Sequence, residues 1–175
     1  MHLEAVRQDL MLEPRPVTST PVAAPAPARR WCSFLLGDEC FAVDSGIVVE
    51  VLRSRRLTRV PLAARGILGL VHLRGRIVPV IDPAEPLAVS RRTGANPGPH
   101  LVIAPGDDWY GLLVDEMLEV IEIPPERVER PTGGTELVLG TFAAADRLVH
   151  LLDPERMIQS LVRQRVATGT RPGSA

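Results

Sequence analysis

Apolar residues along this chain gather in short runs bounded by glycine, proline or charge. In the central region, 66–83, two aliphatic stretches meet at Arg74-Gly75. Short runs rich in β-branched and aliphatic residues and bounded by turn residues are typical of strands. The pattern therefore predicts a hairpin that turns at Arg74-Gly75. Because Pro79 has no N–H to donate, we expect the second strand to be an edge strand or to carry a bulge.

Other stretches extend this pattern. Residues 31–42 alternate about Gly37-Asp38 and predict a second hairpin, and residues 47–52 predict a further strand. Residues 53–65 contain five arginines and read as a basic loop. Near the end of the chain, Asp153-Pro154 predicts a helix start with aspartate as N-cap and proline at the first helical position. Apolar residues follow it at helical spacing.

The same pattern occurs twice. Positions in the first half reappear 69 to 71 residues later, a drift that single-residue loop insertions produce. Short strands separated by turn signals favour a small closed barrel over an open sheet. Units of about 60 residues are only marginally stable alone, so we expect the two copies to share buried surface. The matched pairs are Gly37/Gly106, Phe41/Tyr110, Glu50/Glu119, Val51/Val120, Pro61/Pro131, Gly69/Gly140, Arg76/Arg147, Asp82/Asp153 and Pro83/Pro154.

The repeat also predicts how the chain is divided. Residues 13–30 hold five prolines among small residues and cannot bury enough apolar surface to become ordered. We expect a disordered Pro/Ala-rich tether over 1–30, barrel one over about 31–83, a linker over 84–100, barrel two over about 101–153, a helix over 154–166 and a disordered tail over 167–175.

The composition argues against several partner classes. The formal net charge is −1, so no overall field favours nucleic acid or an anionic membrane. All 20 basic residues are arginine. Those in the loop 53–65 are not interleaved with the aromatic residues on which single-stranded nucleic acids stack. Since no apolar run approaches the length of a membrane span, we expect neither nucleic-acid binding nor direct membrane insertion.

Charge is distributed unevenly along the chain. Residues 31–95 hold nine arginines against six acidic residues, a net charge of +3. Residues 101–160 hold four arginines against twelve acidic residues, a net charge of −8. Opposite charges of this kind could guide one half of the molecule onto the opposite half of a homologous partner.

The cysteines and the N-terminal residues favour the cytoplasm. The first dozen residues are charged and lack a continuous apolar run, so we expect no signal peptide. Cys32 and Cys40 are the only cysteines. A turn at Gly37-Asp38 places Cys40 opposite Leu35, which makes a disulfide to Cys32 geometrically awkward. Reduced thiols are expected instead, as in a cytoplasmic protein.

The search for catalytic and metal sites leaves one candidate. The four histidines have no second ligand at metal-binding spacing, so we expect neither a metal nor another cofactor. Residues 41–46, Phe-Ala-Val-Asp-Ser-Gly, resemble the signature of retroviral-type aspartic proteases, in which paired aspartates share a proton. Asp44 would be the catalytic residue. The second copy has no matching Ser/Thr-Gly, which argues against this alternative, although a homodimer would supply two aspartates.

A series of motifs runs through the ordered part of the chain: residues 34–44, 48–51, 60–61, 69–75, 76–82, 110–115 and 146–153. In this order they resemble the CheW family of chemotaxis coupling proteins, over about residues 31–162. The resemblance implies a mainly β fold, two intertwined SH3-like five-stranded β-barrels with a C-terminal α-helix, forming one domain over 31–166.

The resemblance also implies a function. The chain would be a noncatalytic adaptor that couples methyl-accepting chemoreceptors to a CheA-type histidine kinase. Its partners would be the regulatory domain of the kinase, the cytoplasmic tip of the receptors and other CheW-like proteins. It would act in the cytoplasm, at membrane-associated receptor arrays. The remaining alternative is a generic SH3-like peptide-binding module, which needs an aromatic groove that 3% aromatic residues can hardly build.

Site residues follow from the resemblance position by position. The family's receptor-binding Asn-Leu-Arg-Gly corresponds to His72-Leu73-Arg74-Gly75, with histidine in place of asparagine. Its kinase-binding strand corresponds to Val48 and Glu50. Structural roles stay open for three of these residues: Arg74 could brace its own hairpin by bonding local carbonyls, Glu50 could be an exposed strand charge, and Val48 could belong to the core.

Overall fold

The computed structural model describes residues 26–63, 66–91, 98–130 and 136–168, and the side chains of the last helix up to Leu161. Within these ranges the chain forms two five-stranded sheets and two α-helices. The strands are β1 (Arg29–Leu36), β2 (Glu39–Asp44), β3 (Val48–Leu52), β4 (Ile67–Leu73), β5 (Arg76–Ile81), β6 (His100–Ile103), β7 (Tyr110–Leu113), β8 (Glu116–Ile123), β9 (Val138–Ala143) and β10 (Leu148–Leu152), and the helices are α1 (Ala84–Leu87) and α2 (Pro154–Thr168).

The two sheets have the same strand order. The first sheet runs β8-β1-β2-β10-β9 and the second runs β3-β6-β7-β5-β4. When β6–β10 are taken as the repeat of β1–β5, each sheet contains the hairpin of strands one and two from one copy and strands three to five from the other. The duplication is therefore real, and the intertwining that the resemblance implied is confirmed.

The exchange of hairpins differs from the contiguous division into 31–83 and 101–153 that the sequence predicted. A single 3-10 turn, Ser45–Ile47, carries the chain from β2 in the first sheet directly to β3 in the second. The hairpins β1-β2 and β6-β7 are both short, largely apolar strand pairs with Gly-Asp in the connection. Sequence alone therefore does not show which hairpin completes which sheet.

Each sheet is closed by a bridge between its two edges. Thr58, which follows the edge strand β3, exchanges two N–H···O bonds of 2.9 Å with Leu70 in β4, at the opposite edge of the second sheet. Glu129, which follows β8, makes equivalent bonds of 2.9 and 2.8 Å with Thr141 in β9. Closure satisfies edge groups that would otherwise be free to pair with other chains.

Three apolar cores hold the fold together. Two of them fill the individual sheets: one contains Trp31, Cys40, Ala42, Ile123, Phe142, Val149 and Leu151, and the other contains Leu52, Val71, Leu73, Val78, Val80 and Val102. The third core, here called the shared core, lies between the sheets and includes Phe34, Leu36, Phe41, Val43, Leu101, Ile103, Leu112 and Leu152. The prediction that the two copies share buried surface is confirmed.

The helix α2 covers the shared core. Asp153 acts as its N-cap, because the Oδ1 atom of its carboxylate accepts a hydrogen bond of 3.0 Å from the backbone N–H of Arg156. Three residues of its apolar stripe are buried in the shared core: Met157, Ile158 and Leu161.

Pro79 lies in a different setting from the one predicted. The strand β5 is not an edge, because β4 and β7 flank it. Pairing with β7 begins only at Val80, so no neighbour on that side needs the N–H that Pro79 lacks. A bulge, the other possibility, is present, but in the neighbouring strand: the register of β4 against β5 shifts between Ile67 and Gly69.

Several predicted segments fall partly or wholly outside the described residues. Most of the tether predicted over 1–30 and nearly all of the tail predicted over 167–175 lie there. The predicted linker over 84–100 is described except for residues 92–97, and it begins with α1.

Candidate functional site

The central hairpin turns at Arg74-Gly75, as predicted. Leu73 pairs with Arg76, which leaves a two-residue turn, and the φ angles of Arg74 and Gly75 are +49° and +76°. Positive φ at both central residues defines a type I′ turn, the type that matches the twist of antiparallel strands. A non-glycine residue in this conformation costs roughly 1–2 kcal/mol. The fold therefore holds Arg74 in a conformation that its side chain does not favour.

The guanidinium of Arg74 forms an ion pair with the carboxylate of Glu50. Glu50 is in β3 and Arg74 follows β4, and these strands are the opposite edges of the second sheet. The pair forms because the sheet closes on itself. The structure thus places one residue of the predicted kinase-binding strand against one residue of the predicted receptor-binding turn.

The two members of this pair differ in exposure. The Arg74 side chain is 64% exposed and the Glu50 side chain is 22% exposed. The bond joins Arg74 to another strand, in place of the local carbonyls that the sequence offered as its structural role. An exposed ion pair contributes only about 0.2–1 kcal/mol to stability, so a partner could replace it at little cost. Because the Arg74 side chain is 64% exposed, most of its surface is available to such a partner.

The other predicted site residues divide into exposed and buried ones. His72 and Gly75 are exposed on the hairpin. Leu73 is only 7% exposed and belongs to the core of the second sheet, so its side chain holds the turn in place. Val48 is half-buried against the shared core. A register shift separates Val48 from Glu50, and such bulges change the direction in which neighbouring side chains point.

Arg91 forms a network that the sequence did not predict. One guanidinium nitrogen donates to Asp82 and to the carbonyl of Leu113, both at 3.0 Å, and the other donates to Asp115 at 2.6 Å. The second carboxylate oxygen of Asp115 accepts a bond of 2.7 Å from the backbone N–H of Gly37. The network connects the hairpin of the first sheet to β5 and β7 of the second.

This network corrects one expectation. In the sequence, Asp115, Glu116 and Glu119 form a cluster that is expected to be a solvated acidic face, but the Asp115 side chain is only 10% exposed. Its partners come from distant segments of the chain, and nothing in the local sequence identifies them. Arg91 lies beside Arg92 in the linker, and nothing in the local sequence distinguishes the two.

The arrangement around Asp44 does not support the protease alternative. One carboxylate oxygen accepts a hydrogen bond of 2.8 Å from the N–H of Gly46, and the other pairs with the guanidinium of Arg29. Among the residues that the structure describes, the hydrogen-bond and ion-pair partners of Asp44 include no second carboxylate with which it could share a proton within the chain.

The described part of the chain shows neither a metal-binding cluster nor a membrane-spanning helix. It contains no group of three or more His, Cys, Asp or Glu residues arranged to hold a metal ion. None of its helices is long and apolar enough to cross a membrane.

Cys32 and Cys40 are buried free thiols, and burial raises the pKa of both. Cys40 pairs with Leu35 across the hairpin, as predicted.

Comparison with known proteins agrees with this structure. The sequence profile of the CheW-like domain family matches residues 30–162. Chemotaxis protein CheW of Helicobacter pylori is 25% identical over 134 residues, which cover 74% of this chain and 81% of that protein. Protein FrzA of Myxococcus xanthus is 29% identical over 150 residues, which cover 81% of this chain and 92% of that protein.

A solved structure shows the same fold. The crystal structure of the scaffolding protein TtCheW from Thermoanaerobacter tengcongensis superposes with a TM-score of 0.66 at 26% identity, covering 73% of this chain and 90% of that one. The profile match spans both sheets and the start of α2, so the similarity concerns the whole exchanged pair of SH3-like units. The chain belongs to the CheW-like domain family and is a noncatalytic chemotaxis coupling adaptor.

Proposed function

We propose that this adaptor joins the regulatory domain of a CheA-type histidine kinase to the cytoplasmic tip of methyl-accepting chemoreceptors. The kinase would contact β3 through Val48 and Glu50. The receptor would contact the turn of the central hairpin, residues 72–75. The observation that carries the proposal is the ion pair between Glu50 and Arg74, because it brings the two contact regions together on one face of the second sheet.

The surface around this pair has the properties of a docking site. Val51, next to Glu50 in β3, is an apolar side chain that is 47% exposed. Exposed apolar side chains beside charged ones are typical of the border between an interface core and its polar rim. Arg74 can form bidentate bonds to carboxylates, a geometry that lysine cannot reproduce.

Charge favours a role in arrays with other CheW-like proteins. The loop after β3 carries Arg53, Arg55, Arg56 and Arg59, all exposed. The outer strand β8 of the first sheet carries exposed Glu116, Glu119 and Glu122. β8 and β3 are edge strands of different sheets, and opposite charges at such edges speed the encounter of head-to-tail partners and suppress the wrong orientation. This supports assembly at membrane-associated receptor arrays.

The kinase contact is tested by reversing one charge. We expect Glu50→Arg to lower the affinity for the isolated kinase regulatory domain about 30-fold, because a charge reversal in a desolvated interface costs on the order of 2 kcal/mol. Isothermal titration calorimetry measures the affinity, and the melting temperature shows whether the fold is intact. The matched control is Glu126→Arg, which reverses an exposed charge in the 3-10 turn Pro125–Arg127.

Two results would contradict the assignment. Unchanged affinity of Glu50→Arg would remove β3 from the kinase interface. Equal loss of affinity in Glu126→Arg would show a nonspecific effect of net charge.

A further inference from the structure

A shallow groove of about 420 Å³ opens between β5 and β7 on the second sheet. Pairing between these parallel strands begins at Val80, so no ladder bonds join the residues that precede it. The guanidinium of Arg76 fills part of the gap: it lies 4.8 Å from the centroid of the Trp109 ring and donates a hydrogen bond of 3.2 Å to the carbonyl of Asp107. The groove is lined by Arg76, Ile77, Pro79, Asp108, Trp109 and Tyr110.

The apolar part of this groove is specific to the second sheet. Ile77 is 60% exposed, and Trp109 is fixed beside it by its packing on the core of the second sheet. In the first sheet the repeat places Cys40 and Phe41 at the positions of Trp109 and Tyr110, and both are buried. An exposed apolar side chain beside a fixed aromatic ring is typical of a protein-binding surface.

The groove adjoins the turn of the central hairpin. His72 and Ile77 are paired across β4 and β5, and both are exposed. Residues directly opposite each other lie on the same face of a sheet, with their Cβ atoms about 4.5–5.5 Å apart. A partner that contacts residues 72–75 therefore meets Ile77 as well.

The dimensions of this surface fit a single helix. From His72 through Ile77 to Tyr110 it crosses β4, β5 and β7, which are two strand spacings of about 4.8 Å apart. Along β5 it extends from Gly75 to Pro79, or about 13 Å at 3.3 Å per residue. A helix is about 10–12 Å wide and rises about 5.4 Å per turn, so about two turns cover the surface. Apolar side chains three or four positions apart on such a helix would enter the groove together.

One rim of the groove is acidic. Asp107 and Asp108 are both exposed. Burial, together with the negative charge of Asp108, raises the pKa of Tyr110, so this carboxylate acts on the floor of the groove. The one cation of the lining, Arg76, is already engaged by the Trp109 ring and a backbone carbonyl. The rim therefore favours an occupant that carries a basic side chain next to its apolar ones.

We infer that a helix of the receptor's cytoplasmic tip lies in this groove, with an apolar side chain between Ile77 and Trp109 and a basic side chain against Asp108. The inference rests on the receptor contact proposed above at residues 72–75 and extends that contact across β5 to β7. The turn fixes one end of the helix, and the groove selects receptors that carry the matching apolar and basic pair.

Binding of the full chain to a soluble cytoplasmic fragment of a methyl-accepting chemoreceptor tests the inference. We expect Ile77→Glu, a substitution at an exposed position, to weaken binding about 30-fold, because it places a charge in the apolar part of the contact. The matched control is Leu148→Glu. Leu148 is 50% exposed and lies 71 positions after Ile77, at the equivalent place of the repeat on the first sheet. It should change the affinity less than about twofold. Melting temperatures show whether each variant is folded.

A second substitution separates the charge of the rim from the apolar contact. Rim charges act mainly on association, so Asp108→Arg should lower the association rate about tenfold at low salt and have less effect at high salt. Ile77→Glu should instead raise the dissociation rate at both salt concentrations. Surface plasmon resonance measures both rates.

A measurement on the unmodified chain serves if a groove variant does not fold. The chain has two tryptophans: Trp31 is 4% exposed, whereas Trp109 is partly exposed and lines the groove. With a receptor fragment that lacks tryptophan, binding should reduce the quenching of tryptophan fluorescence by acrylamide, because the receptor helix covers the indole of Trp109.

The possible failures are distinguishable. If Ile77→Glu binds the fragment as tightly as the unmodified chain while Arg74→Glu binds it more weakly, the receptor contact stands and the groove lies outside it. Unchanged quenching on binding, or an equal loss of affinity in Leu148→Glu, would overturn the inference in the same way. If the unmodified chain does not bind the fragment, the proposed receptor contact is wrong and the inference is wrong with it.

Discussion

His100 is a buried residue whose polar ring lacks a full set of partners. It is 1% exposed at the start of β6, and its Nδ1 atom has no hydrogen-bond partner in the described structure. From the sequence, His100 is expected to be a strand or surface histidine rather than a metal ligand; it lies in a strand and is buried. Burial lowers the pKa of the His100 imidazole from its ordinary value of 6.5, because the charged form would lose its hydration.

This histidine makes stability depend on pH. Below about pH 6.5 the unfolded chain binds a proton at His100 that the folded chain binds only at lower pH, so acid favours unfolding. We expect the free energy of unfolding to fall between pH 7 and pH 5, with His100 contributing at most about 1.4 kcal/mol per pH unit. In His100→Leu this contribution disappears. Urea unfolding at several pH values measures it, and His72→Gln, which removes an exposed histidine, is the matched control. An identical pH dependence in His100→Leu and the unmodified chain would contradict the assignment.

The ion pair between Glu50 and Arg74 shows what residue-level reasoning can and cannot give. Both residues were assigned to candidate sites from their motifs. Their contact was not predicted, because they lie 24 positions apart on strands that meet only when the second sheet closes. The burial of Leu73 follows from strand alternation, yet the motif alone grouped it with the exposed residues of the turn.

At the scale of elements, the glycine pair of the repeat has a physical explanation. A Cβ atom on Gly69 would lie 2.7 Å from the carbonyl oxygen of Thr58, and one on Gly140 would lie 2.9 Å from that of Glu129. These carbonyls belong to the two closing bridges. Only glycine lets the returning segment approach each edge strand closely enough to pair with it.

Alanine at these positions tests the closure. We expect Gly69→Ala and Gly140→Ala each to lower the free energy of unfolding by about 1–3 kcal/mol, because backbone must shift to admit the methyl group. Gly106→Ala is the control, since a Cβ atom there meets nothing within 4 Å, and it should change stability by less than about 0.5 kcal/mol. Chemical denaturation measures all three. A cost at Gly106 equal to that at Gly69 would show that the loss of stability is not specific to the closing bridges.

The hairpins were predicted well because their information is local. The turns at Gly37-Asp38 and Arg74-Gly75 and the start of α2 depend on residues close in sequence, and all three formed where expected. The setting of Pro79 was predicted less well. Whether β5 can accept a proline there depends on how far β7 extends beside it, because only a paired neighbour would need the missing N–H. That extent is set by the packing of whole sheets.

For the whole molecule, the duplication was readable from the sequence and the exchange of hairpins was not. Periodicity identifies strands, but two copies of one pattern allow either hairpin to complete either sheet. Both copies contribute to the shared core, the first through β1, β2 and β5 and the second through β6, β7, β10 and α2. The resemblance to the CheW family implied intertwined barrels. The strand order shows that each sheet combines the first hairpin of one copy with the last three strands of the other. Arg91, which joins both sheets, emerges only at this scale.

The central claim is that one face of this molecule couples a receptor to a kinase. The most direct test is co-sedimentation of kinase with receptor-containing membranes, with the chain present or absent. We expect the kinase to sediment, and its autophosphorylation to follow the receptor state, only with the unmodified chain. With Arg74→Glu we expect the kinase to remain in the supernatant while the chain still binds the regulatory domain. Equal sedimentation of the kinase without the chain, or none with it, would contradict the account.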